Sequence, residues 1–94
     1  MMSAPSNPAE LVGLRAQIAL RLDNGNLPAA GNQKIFGGYG ANQACAACDA
    51  PVLENEVLYE VEVQREAEVI VLAMHRCCFD LWMEESLALR RRNV

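Results

Sequence analysis

Two cysteines stand three positions apart in "CAACDAP", at Cys45 and Cys48, and 27 residues after the second of them "MHRCCFDLW" brings His75, Cys77 and Cys78. The chain holds no other cysteine or histidine. Thiolate sulfur and neutral imidazole nitrogen are the ligands that zinc favours, and a structural zinc fills all four tetrahedral places with them. A CxxC turn folds back so that both sulfurs can point at one ion. His75 and Cys78, three apart, would share one face of a first helical turn. The spacing therefore predicts one Zn2+ per chain held by Cys45, Cys48, His75 and Cys78. Cys77 is the competing ligand, but adjacent positions on a helix differ by about 100°, so Cys77 would not share the face that Cys78 occupies. The three-residue spacing favours Cys78 and leaves Cys77 as an inert buried thiol, a reactive thiol or the ligand in place of Cys78.

Other chemistries are poorly served. A catalytic zinc keeps an open position, with three protein ligands and a water, whereas four ligands are present here. No HExxH or HxE arrangement surrounds His75, so metallohydrolase and deaminase signatures are absent. A thioredoxin-like CxxC opens a helix after a strand; here it follows a glycine-rich stretch and runs into Pro51, which argues against a helix. "FGGYG", Phe36 to Gly40, is neither GxGxxG nor a P-loop, and its glycines are read as turns or close backbone approaches. Glu54, Glu56, Glu60 and Glu62 are read as the wet face of a strand rather than as acid–base pairs. The sequence predicts no enzyme.

Elements must bring these residues together. "NPAELVGLRAQIALRL" predicts a helix over 8–22, with Asn7 as N-cap, Pro8 at the first turn and Glu10 at the capping-box position. Leu11, Leu14, Ile18 and Leu22 form its apolar stripe. "DNGNLP" ends it, and 30–44 is expected to be a glycine-rich loop with a short extended piece around Lys34 to Phe36. "VLYEVEVQ" alternates, with Val57, Tyr59, Val61 and Val63 inward, and predicts a half-buried strand. "REAE" connects it to "VIVLAM", apolar on both faces and expected to be the more buried strand. From His75 to Arg91 the pattern turns helical, with Phe79, Trp82, Met83 and Leu87 on one face packing the helix onto the hairpin. The fold class is α+β, and 9–92 is expected to form a single domain behind a disordered N-terminus at 1–8.

Ninety-four residues with frayed ends leave roughly 80 to fold, a size at which a metal often supplements the core, and only 5% are aromatic, so large anchors are few. Neither a membrane-spanning run nor a secretory signal is visible. A cytoplasmic setting is expected, where thiols stay reduced and four cysteines are ligands or reactive groups rather than disulfides. The net charge of −4 disfavours a nucleic-acid partner. Five of the eight basic residues nonetheless lie at Arg15, Arg21 and Arg90 to Arg92, which keeps a local basic patch open.

Knuckle, hairpin and ligand-bearing helix in this order resemble the treble-clef zinc fingers, and CxxC…HxxC is similar to the first half of a LIM module. "IFGGYG", "CAAC", "YEVEV" and "HRCCFDLW" together resemble a group of small bacterial proteins that join an N-terminal helix and a Gly-rich loop to these motifs. The resemblance covers nearly all of the chain after residue 10. It implies a zinc-binding treble-clef fold with Cys45, Cys48, His75 and Cys78 as ligands, and it implies no reaction. Three functions follow as expectations. The first is a non-enzymatic interaction module with a protein partner or a second copy of itself. The second is a thiol- or zinc-responsive redox regulator, and the third a nucleic-acid-binding finger.

Overall fold

A computed structural model describes residues 8–31 and 33–92. The expected disorder at 1–8 and the Asn7 cap lie outside the described residues, except for Pro8, which already belongs to a helix. That helix, α1, spans Pro8–Asp23, built from Leu, Ala, Arg and Gln, all good helix formers. It stops where Gly25 takes a φ of 82°, a left-handed conformation that glycine adopts without Cβ strain. Leu14, Ile18 and Leu22 are buried as expected, whereas Leu11 at the same spacing is left exposed.

Five strands follow: β1 Gln33–Tyr39, β2 Gln43–Ala44, β3 Pro51–Val52, β4 Val57–Arg65 and β5 Glu68–His75, and then helix α2, Arg76–Arg92. The main sheet is antiparallel with order β1-β4-β5, and β2 pairs with β3 in a second, small ladder. The architecture is α+β, as the sequence predicted.

The expected loop over 30–44 is corrected by β1. All seven of its residues pair with β4, from Gln33 opposite Val63 to Tyr39 opposite Val57. Gly37 and Gly38 weaken a strand's own preference, but pairing along the full length of a formed neighbour overrides that preference. Gly40, just past the strand, is buried, and a Cβ there would run into the carbonyl oxygens of Val52 on β3 and of Leu53 just after it.

The order also corrects the two hairpin strands. β4 is central, while β5 is buried on one face only and leaves Val69 and Val71 more than half exposed. On β4, Val61 and Val63 face inward, but at its start Leu58 is buried in place of Val57. Leu58 pairs with His75, so it lies on the face that meets the ligand cluster. The connection is the two-residue Glu66–Ala67, with Glu66 at a φ of 55°.

His75 ends β5 rather than opening the helix, and α2 starts one residue later. The buried stripe of α2 is Cys78, Leu81, Trp82 and Ser86. It is turned by about one position from the expected face, so Leu87 points out. Phe79 meets Tyr59 of β4 edge to face at 4.9 Å. Trp82 also donates from Nε1 to the Pro28 carbonyl at 2.8 Å. Ser86 Oγ accepts from the Ala30 amide at 3.0 Å, and Arg90 donates to the Ala30 carbonyl at 2.6 Å. These three α2 residues strap down the connection between α1 and β1, Arg90 doing so while it stays exposed at the helix end. α1 lies against α2, where Arg15 bridges Glu84 and Glu85.

Candidate metal centre

The first two candidate ligands sit on a turn between β2 and β3. The Cys45 amide donates to the Ala50 carbonyl and the Asp49 amide returns to the Cys45 carbonyl, each at 2.9 Å. Asp49 closes the turn with a φ of 70°, a left-handed conformation that a short polar side chain tolerates. The Ala46 amide then reaches the Ala73 carbonyl of β5 at 2.8 Å. That bond docks the turn beside the strand end that carries His75. Cys78 follows one turn into α2.

Cys45, Cys48, His75 and Cys78 are thereby gathered so that one ligand atom from each lies within 4.8 Å of all the others. His75 Nδ1 stands 3.4 Å from Cys48 Sγ and 3.8 Å from Cys78 Sγ. Bonds of about 2.0–2.3 Å in a tetrahedron separate sulfur and nitrogen ligands by roughly 3.5 Å, so these spacings admit one ion. Cys45, Cys78 and His75 are almost fully buried and Cys48 is half-buried. All four cysteines are free thiols.

The donor set fits a cation in its protonation as well. His75 Nε2 is 3.0 Å from the Pro51 carbonyl, an acceptor only, so the ring donates from Nε2 and turns the Nδ1 lone pair toward the sulfurs. Backbone partners of this kind orient ligating histidines. Glu56 lies 3.6 Å from the same Nε2 while accepting from the Leu53 amide at 2.8 Å. Glu56 is thus an outer neighbour of the cluster and not the wet strand residue it was read as. Hydrogen bonds from Cys48 and Cys78 hold the Cys45 thiol far below the ordinary thiol range. The same bond to Cys45 pushes Cys48 up to about 11, and Cys78 is also raised by its hydrogen bonds to Cys45 and Cys48. A cation entering would displace the thiol protons of its ligands. Cys77 stands outside the four; its hydrogen bond with Cys78 lowers it to about 7.

Residues that spacing could not single out complete the surroundings. Arg21 of α1 donates to the carbonyls of Ala46 at 3.0 Å and Ala47 at 3.3 Å and forks onto the Asp49 carboxylate. Gln17, one helical turn earlier, donates to the Ala47 carbonyl at 2.8 Å. Asp49 raises the Arg21 guanidinium, and Arg21 in turn holds the Asp49 carboxyl below its usual value. The sequence offered one hint: both polar positions flank the buried Ile18 on α1.

No family model, curated protein or solved structure matches the chain.

Proposed function

We propose that Cys45, Cys48, His75 and Cys78 hold one structural zinc ion in a closed tetrahedral site, and that the chain is a non-enzymatic interaction or regulatory module of the treble-clef type. The observation that carries this is the convergence of three sulfurs and the oriented Nδ1 of His75 within 4.8 Å. Soft thiolate ligands in a tetrahedral arrangement favour zinc over magnesium, calcium or manganese. When bound, the ion would supply folding free energy by fastening the Cys45–Cys48 turn to the end of the hairpin and the start of α2. The turn formed by β2 and β3, the β4–β5 hairpin and α2 follow one another as knuckle, hairpin and helix, which supports the treble-clef assignment. Four protein ligands leave no position for substrate, which supports a non-enzymatic role. No described helix is long and apolar enough to cross a membrane, and reduced thiols fit a cytoplasmic setting.

Elemental mass spectrometry of the purified protein, paired with thiol titration before and after chelation, tests this. One zinc per chain and a single titratable thiol in the loaded form are expected. A metal-free protein whose fold is indifferent to chelator would falsify the zinc assignment.

One observation favours a second role, a thiol- and zinc-responsive regulator. Cys77 is half-buried beside Cys78, with its thiol lowered to about 7. If it acts so, dilute hydrogen peroxide should release zinc, read with a chromogenic chelator, and Cys77→Ser should slow the release at least several-fold. Equal release from both proteins would leave Cys77 a packing residue.

A further inference from the structure

The sheet ends at β1, and the outer edge of β1 has a definite hydrogen-bonding face. The Gly40 amide donates to the Glu56 carbonyl at 3.0 Å, continuing the register in which Tyr39 lies opposite Val57. In an antiparallel pair, residues alternate between those that exchange both hydrogen bonds with the partner and those whose groups face away. Counting back from Gly40, the backbone groups of Gly38, Phe36 and Lys34 are directed at β4. Those of Tyr39, Gly37, Ile35 and Gln33 are directed outward.

This edge is apolar as well as unpaired within the sheet. Ile35 is 47%, Phe36 51% and Tyr39 73% exposed. α2 packs over β4 and β5 and meets β1 at Gln33, whose Nε2 lies 3.8 Å from Met83 Sδ. An edge strand with unpaired backbone groups and exposed apolar side chains is a template for another strand.

We propose that the β1 edge is a homodimer interface in which two copies of β1 pair antiparallel about a two-fold axis at Phe36, joining the two three-stranded sheets into one. It deepens the interaction role above by naming the surface and the partner, and it does not depend on the metal. Parity allows this self-pairing, and the axis at Phe36 is the one that overlaps all seven residues of the strand. With the axis at Phe36, Ile35 faces Gly37 of the second copy and Gln33 faces its Tyr39. Every outward donor and acceptor of the seven-residue strand then meets another outward one. Phe36 falls at a non-hydrogen-bonded position opposite its own counterpart, where side chains approach most closely. Gly37 has open space where a Cβ would be, which makes room for the Ile35 side chain of the second copy.

Charge permits this edge in a chain of net charge −4. β1 carries Lys34 and no acid, while Glu60 and Glu62 lie on β4. In the dimer the two β4 strands are three strand spacings apart, about 14 Å, which exceeds the Debye length of about 8 Å at physiological salt. With aromatic side chains offering roughly 150–250 Å2 each, the pairing covers on the order of 400 Å2 per copy. That is the low end of interface size, where dimers are weak and reversible.

Native mass spectrometry and sedimentation of the full, zinc-loaded chain test the proposal, since one spectrum gives both the zinc count and the oligomer. A species at twice the 10.3 kDa chain mass, growing with concentration, is expected. Phe36→Glu and Phe36→Lys should each be monomeric, keep one zinc, and form a heterodimer when mixed, because position 36 meets itself. Val69→Glu, a comparably exposed valine on the far edge strand, should leave the dimer intact. A wild-type chain monomeric at all concentrations, a Phe36→Glu dimer of unchanged strength, or pairing only with an added foreign protein would overturn it. So would two monomeric variants that fail to combine. A dimer without zinc would instead sink the metal assignment and leave the interface standing.

Discussion

At the residue scale, the clustering of Cys45, Cys48, His75 and Cys78 was legible because the chemistry of candidate ligands is tied to residue type and to three-residue spacings that local structure enforces. What spacing could not supply is the set of groups that orient them. The Pro51 carbonyl aims the His75 ring, yet in sequence Pro51 reads only as a helix breaker. Arg21 reads as one more basic residue until the fold brings α1 against the Cys45–Cys48 turn. Its guanidinium satisfies two carbonyls of that turn and the Asp49 carboxylate. Hydrogen bonds to a charged group are worth about 1.5–3 kcal/mol, so Arg21→Ala should destabilise the zinc-loaded protein by about 2 kcal/mol. Thermal unfolding should register this as a fall of roughly 10 °C in Tm. Arg21→Lys should recover only part of the loss, because an ammonium cannot fork onto two carbonyls and a carboxylate together. An unchanged Tm in Arg21→Ala would mean the clamp is ornamental. Cys77 is the residue for which type and spacing gave three options; the structure removes it from the gathered four and sets it beside them.

Elements were legible where period and burial coincide. α1 and β4 appear where helical spacing and alternation placed them, because one face of each is buried, and β5 appears where a continuous apolar run placed it. β1 was legible only as the short extended piece at Lys34 to Phe36: its exposed residues follow no apolar period, and the partners that make it a strand lie 18 to 30 residues away. The same non-local cause explains the rotated stripe of α2. Ser86 is buried to meet the Ala30 amide, a contact invisible from within the helix. Gly40 gives the sharpest test at this scale. Its backbone passes so close to Val52 and Leu53 that a methyl group there would have to displace β3. Gly40→Ala should cost about 1–3 kcal/mol, as overpacking does. It should also weaken zinc retention against a chelator, since β3 carries the Pro51 carbonyl that orients His75. Gly37→Ala, in open space, should leave zinc retention unchanged. Equal retention by both variants would separate Gly40 from the metal centre.

For the whole molecule, the core is modest and the ligand cluster lies within it: Cys45 and Cys78 are as buried as Ile18 or Trp82. Stability should therefore be inseparable from metal. A ligand that binds only the folded state stabilises it by about 1.4 kcal/mol for each tenfold rise in its free concentration above Kd. In a domain of this size that amounts to a Tm rise of roughly 6–11 °C per decade of free zinc. Buffered zinc series read by circular dichroism should show that slope, and strong chelation should abolish the transition. A Tm indifferent to free zinc would make the cluster a packed set of thiols.

The division of the ligands between two distant parts of the chain also sets an order in time. Cys45 and Cys48 belong to one tight turn, which can capture an ion while the rest of the chain is unfolded. His75 and Cys78 arrive at that turn only once the β4–β5 hairpin has closed, an event of about 1–10 μs for a typical hairpin. Binding of a metal at the proposed site would therefore join two parts that form separately, the Cys45–Cys48 turn and the junction of the hairpin with α2. A carrier exchanging the ion of the proposed site would meet Cys48 first, because it is the least buried of the four candidate ligands.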